Sequence, residues 1–227
     1  MAEEDLELVG LKEDWDWHPR EEPLTSARAP TIHGEGRALV VGGTRGIGAA
    51  VASLLESLEW EVTATGRGDF DIGDPATWPP FFRRFPMEYQ FELVVFCAGE
   101  LRPHPWDKKT WEEYARAFAV HALGPVWMLA WGKGTLFPWW TRVVLVSTIG
   151  AVNAGAVDLG YGMAKAALEK AAKAIKEHEA WRTTLVQLDL VDTRMLRQLP
   201  ADTLHGRPVL SPEEAASTIL RMAGVAG

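Results

Sequence analysis

Ala38-Leu39-Val40-Val41-Gly42-Gly43-Thr44-Arg45-Gly46-Ile47-Gly48 reads as an apolar strand, a glycine-rich turn and the first turn of a helix. Glycines at such a junction let backbone approach a pyrophosphate. The helix N-terminus adds free N–H groups and the positive end of the dipole. The spacing is G-x-x-x-G-x-G rather than the commoner G-x-G-x-x-G. A tight strand–helix turn wants glycine for its own sake. Three at this spacing, directly after an apolar strand, point further, to nucleotide phosphates.

Outward from this stretch the chain alternates strand and helix patterns. The strand is Leu39–Val41 and the helix spans Gly46–Leu58, with Ile47, Val51, Leu54, Leu55 and Leu58 at helical spacing. Glu61–Thr65, Leu93–Phe96, Arg142–Val146 and Thr184–Leu188 read as further strands. Thr110–Trp131 and Gly160–Glu179 read as long helices, and Asp69–Pro86 as irregular with a short helix at Phe81–Phe85. Ser211-Pro212-Glu213-Glu214 carries an N-cap signal for a last helix that ends near Ala223. Buried strands alternating with helices predict an α/β fold, a Rossmann-type doubly wound parallel sheet in three α/β/α layers. Residues 36–227 form this single domain. Residues 1–35, with Pro19, Pro23, Pro30 and many acids, read as an acidic N-terminal extension, partly disordered or docked. Leu6–Val9 is a candidate short strand there, and Trp15 and Trp17 are candidates to dock on the body.

Composition narrows the function classes. A net charge of −8 argues against general nucleic-acid or membrane-surface binding. No stretch approaches the length of a membrane span. The acidic N-terminus resembles neither a secretory signal nor a transit peptide. With Cys97 alone, an intrachain disulfide and a cysteine-based zinc site are excluded. The expectation is a cytoplasmic protein without a metal site.

Tyr161-Gly162-Met163-Ala164-Lys165 supplies the second motif. Tyr161 and Lys165 share a helix face. An ammonium beside a phenol favours the phenolate, so the pair is suited to acid/base work. Together, the two motifs resemble those of the short-chain dehydrogenases/reductases, over roughly Arg37–Ala223. His121-Ala122-Leu123-Gly124-Pro125 is similar to the smaller, C-factor-like and carbonyl-reductase-like members.

The resemblance implies an NAD(P)-dependent oxidoreductase acting on a small-molecule carbonyl or alcohol, with Tyr161 as acid/base and Lys165 as its modulator and ribose ligand. Thr148, thirteen residues before the tyrosine, takes the position of the family's catalytic hydroxyl, with Ser147 as runner-up. His121 stands where the family has a proton-relay asparagine. It is either a relay that titrates near neutrality or a packed replacement. The cofactor contacts implied are Gly42, Thr44, Arg45, Gly46, Ile47 and Gly48 in the turn. Others are Asp71-Ile72 after the family's third strand, Ala98-Gly99, and Val191 with Thr193 in the nicotinamide loop. Arg67, at the end of the second strand, and Arg45 suit the 2′-phosphate of NADP(H) over the 2′-hydroxyl of NAD(H).

Departures stand beside the matches. Phe96-Cys97 replaces two asparagines, and Leu188-Asp189 replaces Pro-Gly. They support a competing reading, a nucleotide-binding or scaffold protein with weak or no turnover. Many family members continue into a closing seventh strand; the expectation here is a shortened C-terminus, with that strand absent or replaced by part of the N-terminal extension. Met195, Leu196, Leu199 and Leu204 are the expected lining of a brief substrate loop. Members often pair into homodimers through the helices matching 110–131 and 160–179. Trp111, Trp127 and Trp131 either enlarge that surface or pack inward.

Overall fold

The computed structural model describes residues 36–149, 158–179, 181–199 and 206–225. Leu6–Val9, Trp15, Trp17 and Leu204 lie outside them. Five strands, β1 (Arg37–Val41), β2 (Glu61–Thr65), β3 (Leu93–Phe96), β4 (Arg142–Thr148) and β5 (Arg182–Leu188), form one parallel sheet in the order β2-β1-β3-β4-β5. The order reverses at β1, which pairs with β2 on one side and β3 on the other. A crevice opens outside the strand ends at such a switch point.

Alternation along the strands builds two cores. Leu39, Val41, Val94, Phe96, Val143 and Leu145 face one layer. There they meet α2 (Trp78–Phe82), α4 (Gly124–Gly132) and α5 (Leu159–His178) through Phe81, Met128 and Leu168. Ala38, Val40, Leu93, Val95, Val144 and Val146 face the other. There they meet α1 (Gly46–Ser57) and α6 (Pro212–Met222) through Val51, Leu55, Ile219 and Leu220. The strands are therefore apolar on both faces. The expected three-layer doubly wound fold is the observed one.

The segment Asp69–Pro86 is irregular, as expected, and no strand forms between residues 66 and 92, so Asp71-Ile72 has no third strand before it, unlike the family position that it resembles. Pro75, Pro79, Pro80 and Pro86 withhold ladder donors. The segment packs its aromatic rings instead: Phe70 lies 5.0 Å from Phe81 and Phe82 lies 5.3 Å from Trp131, centroid to centroid. The short helix sits at Trp78–Phe82 rather than Phe81–Phe85.

The expected long helix over Thr110–Trp131 is broken. Thr110 and Glu113 form a capping box on α3 (Trp111–Phe118). A π-turn follows at Ala119–Leu123 before α4 begins at Gly124. Pro125 offers no N–H to the carbonyl of His121, and its ring crowds that carbonyl, so the ladder shifts register there. The π-turn buries His121. A Cβ on Gly124 would stand 2.3 Å from the Ile72 carbonyl oxygen, so this glycine lets the Asp71-Ile72 segment reach the crevice.

Trp131 packs inward, while Trp111 is exposed. Among the described residues, no helix is long and apolar enough to cross a membrane.

Candidate active site

The glycine turn fits a phosphate. Gly42 has φ +84°, and a Cβ there would lie 2.5 Å from the Ala98 backbone. A Cβ on Gly48 would lie 2.1 Å from the Gly42 carbonyl oxygen. Strand, turn and helix can close up only without side chains at these two positions. Arg45 is the N-cap of α1 in an extended conformation. No side chain caps the helix, and its first turn carries no acid. The leading N–H groups and the dipole are left to an anion. Arg45, Gly46, Ile47 and Gly48 line the crevice with Arg67, Asp71, Ile72, Ala98, Gly99 and Thr193. Thr44 does not line it; its side chain packs over Gly66.

Arg67 is not the unpartnered cation that its strand-end position suggests. Its guanidinium bonds Glu100 and lies 3.8 Å from Asp71. Arg116, from α3, joins the same acids, at 2.8 Å from Asp71 Oδ2 and 3.1 Å from Glu100 Oε1. Burial pushes the Asp71 carboxyl up, but the Arg116 hydrogen bond and the Gly73 N–H outweigh it and hold Asp71 below its usual range. Arg45 makes no ion pair with a described residue.

A second, more apolar cavity adjoins the first through Ile47, Cys97, Ala98, Gly99, Thr193 and Met195. It gathers His121, Ser147, Thr148, Tyr161 and Lys165. Asp158 caps α5, accepting from the Tyr161 N–H at 2.9 Å. Its carboxylate also accepts from the Arg102 N–H at 3.1 Å and pairs with Lys109 at 3.0 Å. The two ion-paired side chains are only 1% and 4% exposed.

Lys165 is buried, donates to the Val146 carbonyl at 2.7 Å and holds Nζ 5.8 Å from the Tyr161 ring centre. Burial lowers its pKa to about 8. The expected lowering of the Tyr161 pKa is not found. Burial, and then the Asp158 charge, raise it above the ordinary phenol value.

His121 stands edge-on to Tyr161, ring centres 4.9 Å apart. Its Nε2 lies 2.7 Å from the Glu100 carbonyl oxygen. Nδ1 is buried without a hydrogen-bond partner. Burial and the Lys165 charge lower its pKa to about 3, so the ring is neutral at physiological pH. Of the two readings of His121, burial opposes the one that titrates near neutrality. Nε2 also lies 3.3 Å from the Glu100 backbone nitrogen, whose N–H can donate to it. In the tautomer that carries its proton on Nε2, the shorter contact is a donation to the Glu100 carbonyl, and Nδ1 is the acceptor at the site.

Ser147 Oγ donates to Glu169 Oε1 at 2.7 Å, across to α5. Thr148 ends β4 beside it, half-buried. Burial raises the Cys97 thiol to about 12, which marks it as an inert filler.

Met195, Leu196 and Leu199 line the apolar cavity, as does Val191, which bridges to Leu210. Asp189 bonds Arg207 and so ties this loop back to the end of β5. Sequence reading missed Glu100, Lys109, Arg116 and Arg207, whose partners come from distant elements. Asp158 carried a legible signal, an acid two residues before an expected helix.

No protein-family model and no curated protein matches the sequence. Solved structures do match the fold. A small-chain dehydrogenase in complex with NADPH aligns with a TM-score of 0.72 and 21% identity, over 83% of this chain and 91% of that one. A short chain dehydrogenase/reductase family protein aligns at 0.69 and 24% identity, over 85% and 91%. An angucycline C-6 ketoreductase with bound NADP aligns at 0.65 and 22% identity, over 84% and 89%. This chain has the short-chain dehydrogenase fold.

Proposed function

We propose that the protein is a member of the short-chain dehydrogenase/reductase family, an NADP(H)-dependent oxidoreductase that interconverts a small-molecule carbonyl and its alcohol. One observation carries this reading: an uncapped glycine turn and the Tyr161–Lys165 pair open into two adjoining cavities that share six residues. When bound, the nicotinamide supplies the hydride that a carbonyl carbon accepts. Gly42, Gly46 and Gly48 would hold its phosphates; Thr193 and Val191 would wall the nicotinamide end.

Tyr161 gives its proton to the carbonyl oxygen, which completes the alcohol, or takes one in the reverse direction. The raised Tyr161 pKa keeps the phenol protonated and ready to donate. Lys165, charged and buried beside it, stabilises the phenolate left behind. Thr148 donates a hydrogen bond to the substrate oxygen. Ser147, committed to Glu169, is the structural hydroxyl. His121 Nδ1 accepts a hydrogen bond from a water or a hydroxyl without becoming charged.

A scaffold reading draws support from Lys165, whose ammonium is bonded to the Val146 carbonyl. Titration with NADPH and with NADH, followed by tryptophan fluorescence, separates the two. NADPH binding followed by turnover in a carbonyl screen, lost in Tyr161→Phe, supports the enzyme. Binding without turnover of any carbonyl supports the scaffold. Binding of neither dinucleotide refutes both nucleotide readings.

A further inference from the structure

Arg67 lies just past the end of β2, Glu100 just past the end of β3, and β1 runs between them. Their ion pair therefore spans the end of the strand that opens into the glycine turn. Arg67 lines the crevice with a side chain 60% exposed, whereas Glu100 is 14% exposed and is not among the lining residues. Glu100 has two further partners, Arg116 at 3.1 Å and Arg102 at 3.8 Å. It can release Arg67 without being left as an unpaired partly buried charge, the outcome that makes breaking most such pairs costly. The cluster sets three guanidiniums against two carboxylates, Asp71 and Glu100. Arg45, which also lines the crevice, adds a cation with no described partner. A phosphomonoester dianion is the group whose charge this excess matches.

We infer that Glu100 is a specificity-determining residue that competes with the 2′-phosphate of NADP(H) for Arg67. The inference rests on the dinucleotide reading of the crevice. NADPH binds by exchanging the carboxylate on Arg67 for phosphate, with Glu100 falling back on Arg116 and Arg102. NADH, with a 2′-hydroxyl, leaves the Arg67–Glu100 pair in place. Glu100 therefore moderates the preference for NADP(H) that Arg45 and Arg67 create. An ion pair with one exposed partner is worth up to about 1 kcal/mol, so its removal is worth up to about fivefold in affinity.

The test is a cycle of wild type, Glu100→Gln, Arg67→Ala and the double variant. Each is titrated by calorimetry with NADPH, NADH, 2′,5′-ADP and 5′-ADP. Glu100→Gln is expected to tighten NADPH and 2′,5′-ADP by about fivefold and to leave NADH and 5′-ADP unchanged. In the Arg67→Ala background the same change should have no effect, because the competition needs Arg67. Unchanged NADH affinity also shows that Glu100→Gln is folded. Weaker NADPH binding by Glu100→Gln would show that Glu100 positions Arg67 rather than competing for it, and would overturn the inference. Equal tightening with and without Arg67 would overturn it too, because Glu100 would then act only as a distant charge. NADPH binding by wild type with no response in either variant overturns the inference alone. Failure of all four proteins to bind any of these ligands overturns the dinucleotide reading, and the inference with it.

Discussion

Acidification should expose the neutral state of His121. Its pKa is depressed from the ordinary 6.5 to about 3 by burial and by Lys165. The folded protein therefore resists a proton that the unfolded chain accepts below about pH 6.5. The contribution to stability is complete above that pH and is lost as the pH falls from 6.5 towards 3. Each pH unit in that window is worth about 1.4 kcal/mol. Near pH 4.5, two units below the unfolded value, the loss is about 3 kcal/mol.

The assay is urea unfolding of wild type and His121→Asn, each near pH 7 and near pH 4.5. Asn lacks the titration, and carboxylates such as Asp71 cancel in the difference between the proteins. The smaller side chain costs the variant a fixed amount at both pH values. The stability advantage of wild type over the variant should therefore shrink by about 3 kcal/mol on acidification. An advantage constant within about 0.5 kcal/mol would refute the burial argument. So would a His121 ring resonance that shifts between about pH 5 and 8, the range in which an ordinary imidazole titrates.

Lys109→Met should destabilise the protein by about 3–5 kcal/mol in urea unfolding, because it leaves the buried Asp158 carboxylate without its cation; a loss under about 1 kcal/mol would mean that solvent screens the pair. Thr148→Ala should lower turnover by about 10²–10³-fold while NADPH affinity stays within about twofold, as expected for an oxyanion-side donor. Ser147→Ala should instead cost about 1 kcal/mol of stability, through its Glu169 bond, with little effect on turnover; the reverse pattern would move the catalytic role to Ser147.

Local pattern was legible wherever a short-range rule applied. The apolar run into glycines placed β1, the turn and α1. The four-residue spacing put Tyr161 and Lys165 on one helix face. Ser211 with Glu214 announced the capping box of α6. The broken helix was harder to read. Pro125 was visible, but the π-turn is one of several ways a helix can absorb a proline, and packing around His121 selected it. The missing third strand was a matter of competition. A resemblance suggested strand, while four prolines and a cluster of aromatic rings favoured packing without a ladder.

By itself the sequence determined which groups are present and which of them are neighbours along one element. That sufficed for a strand–turn–helix with bare N–H groups and for a tyrosine and a lysine on one helix face. Only the tertiary structure decided the electrical state of those groups. Arg67 meets Glu100 across 33 residues of chain, because β2 and β3 flank β1. His121 is neutral because the π-turn carries it out of water beside Lys165. Tyr161 is held protonated by burial that its own helix could not impose. Ionisation depends on the charges and the water within a few ångströms, and chain folding brings those together from segments that no local pattern connects.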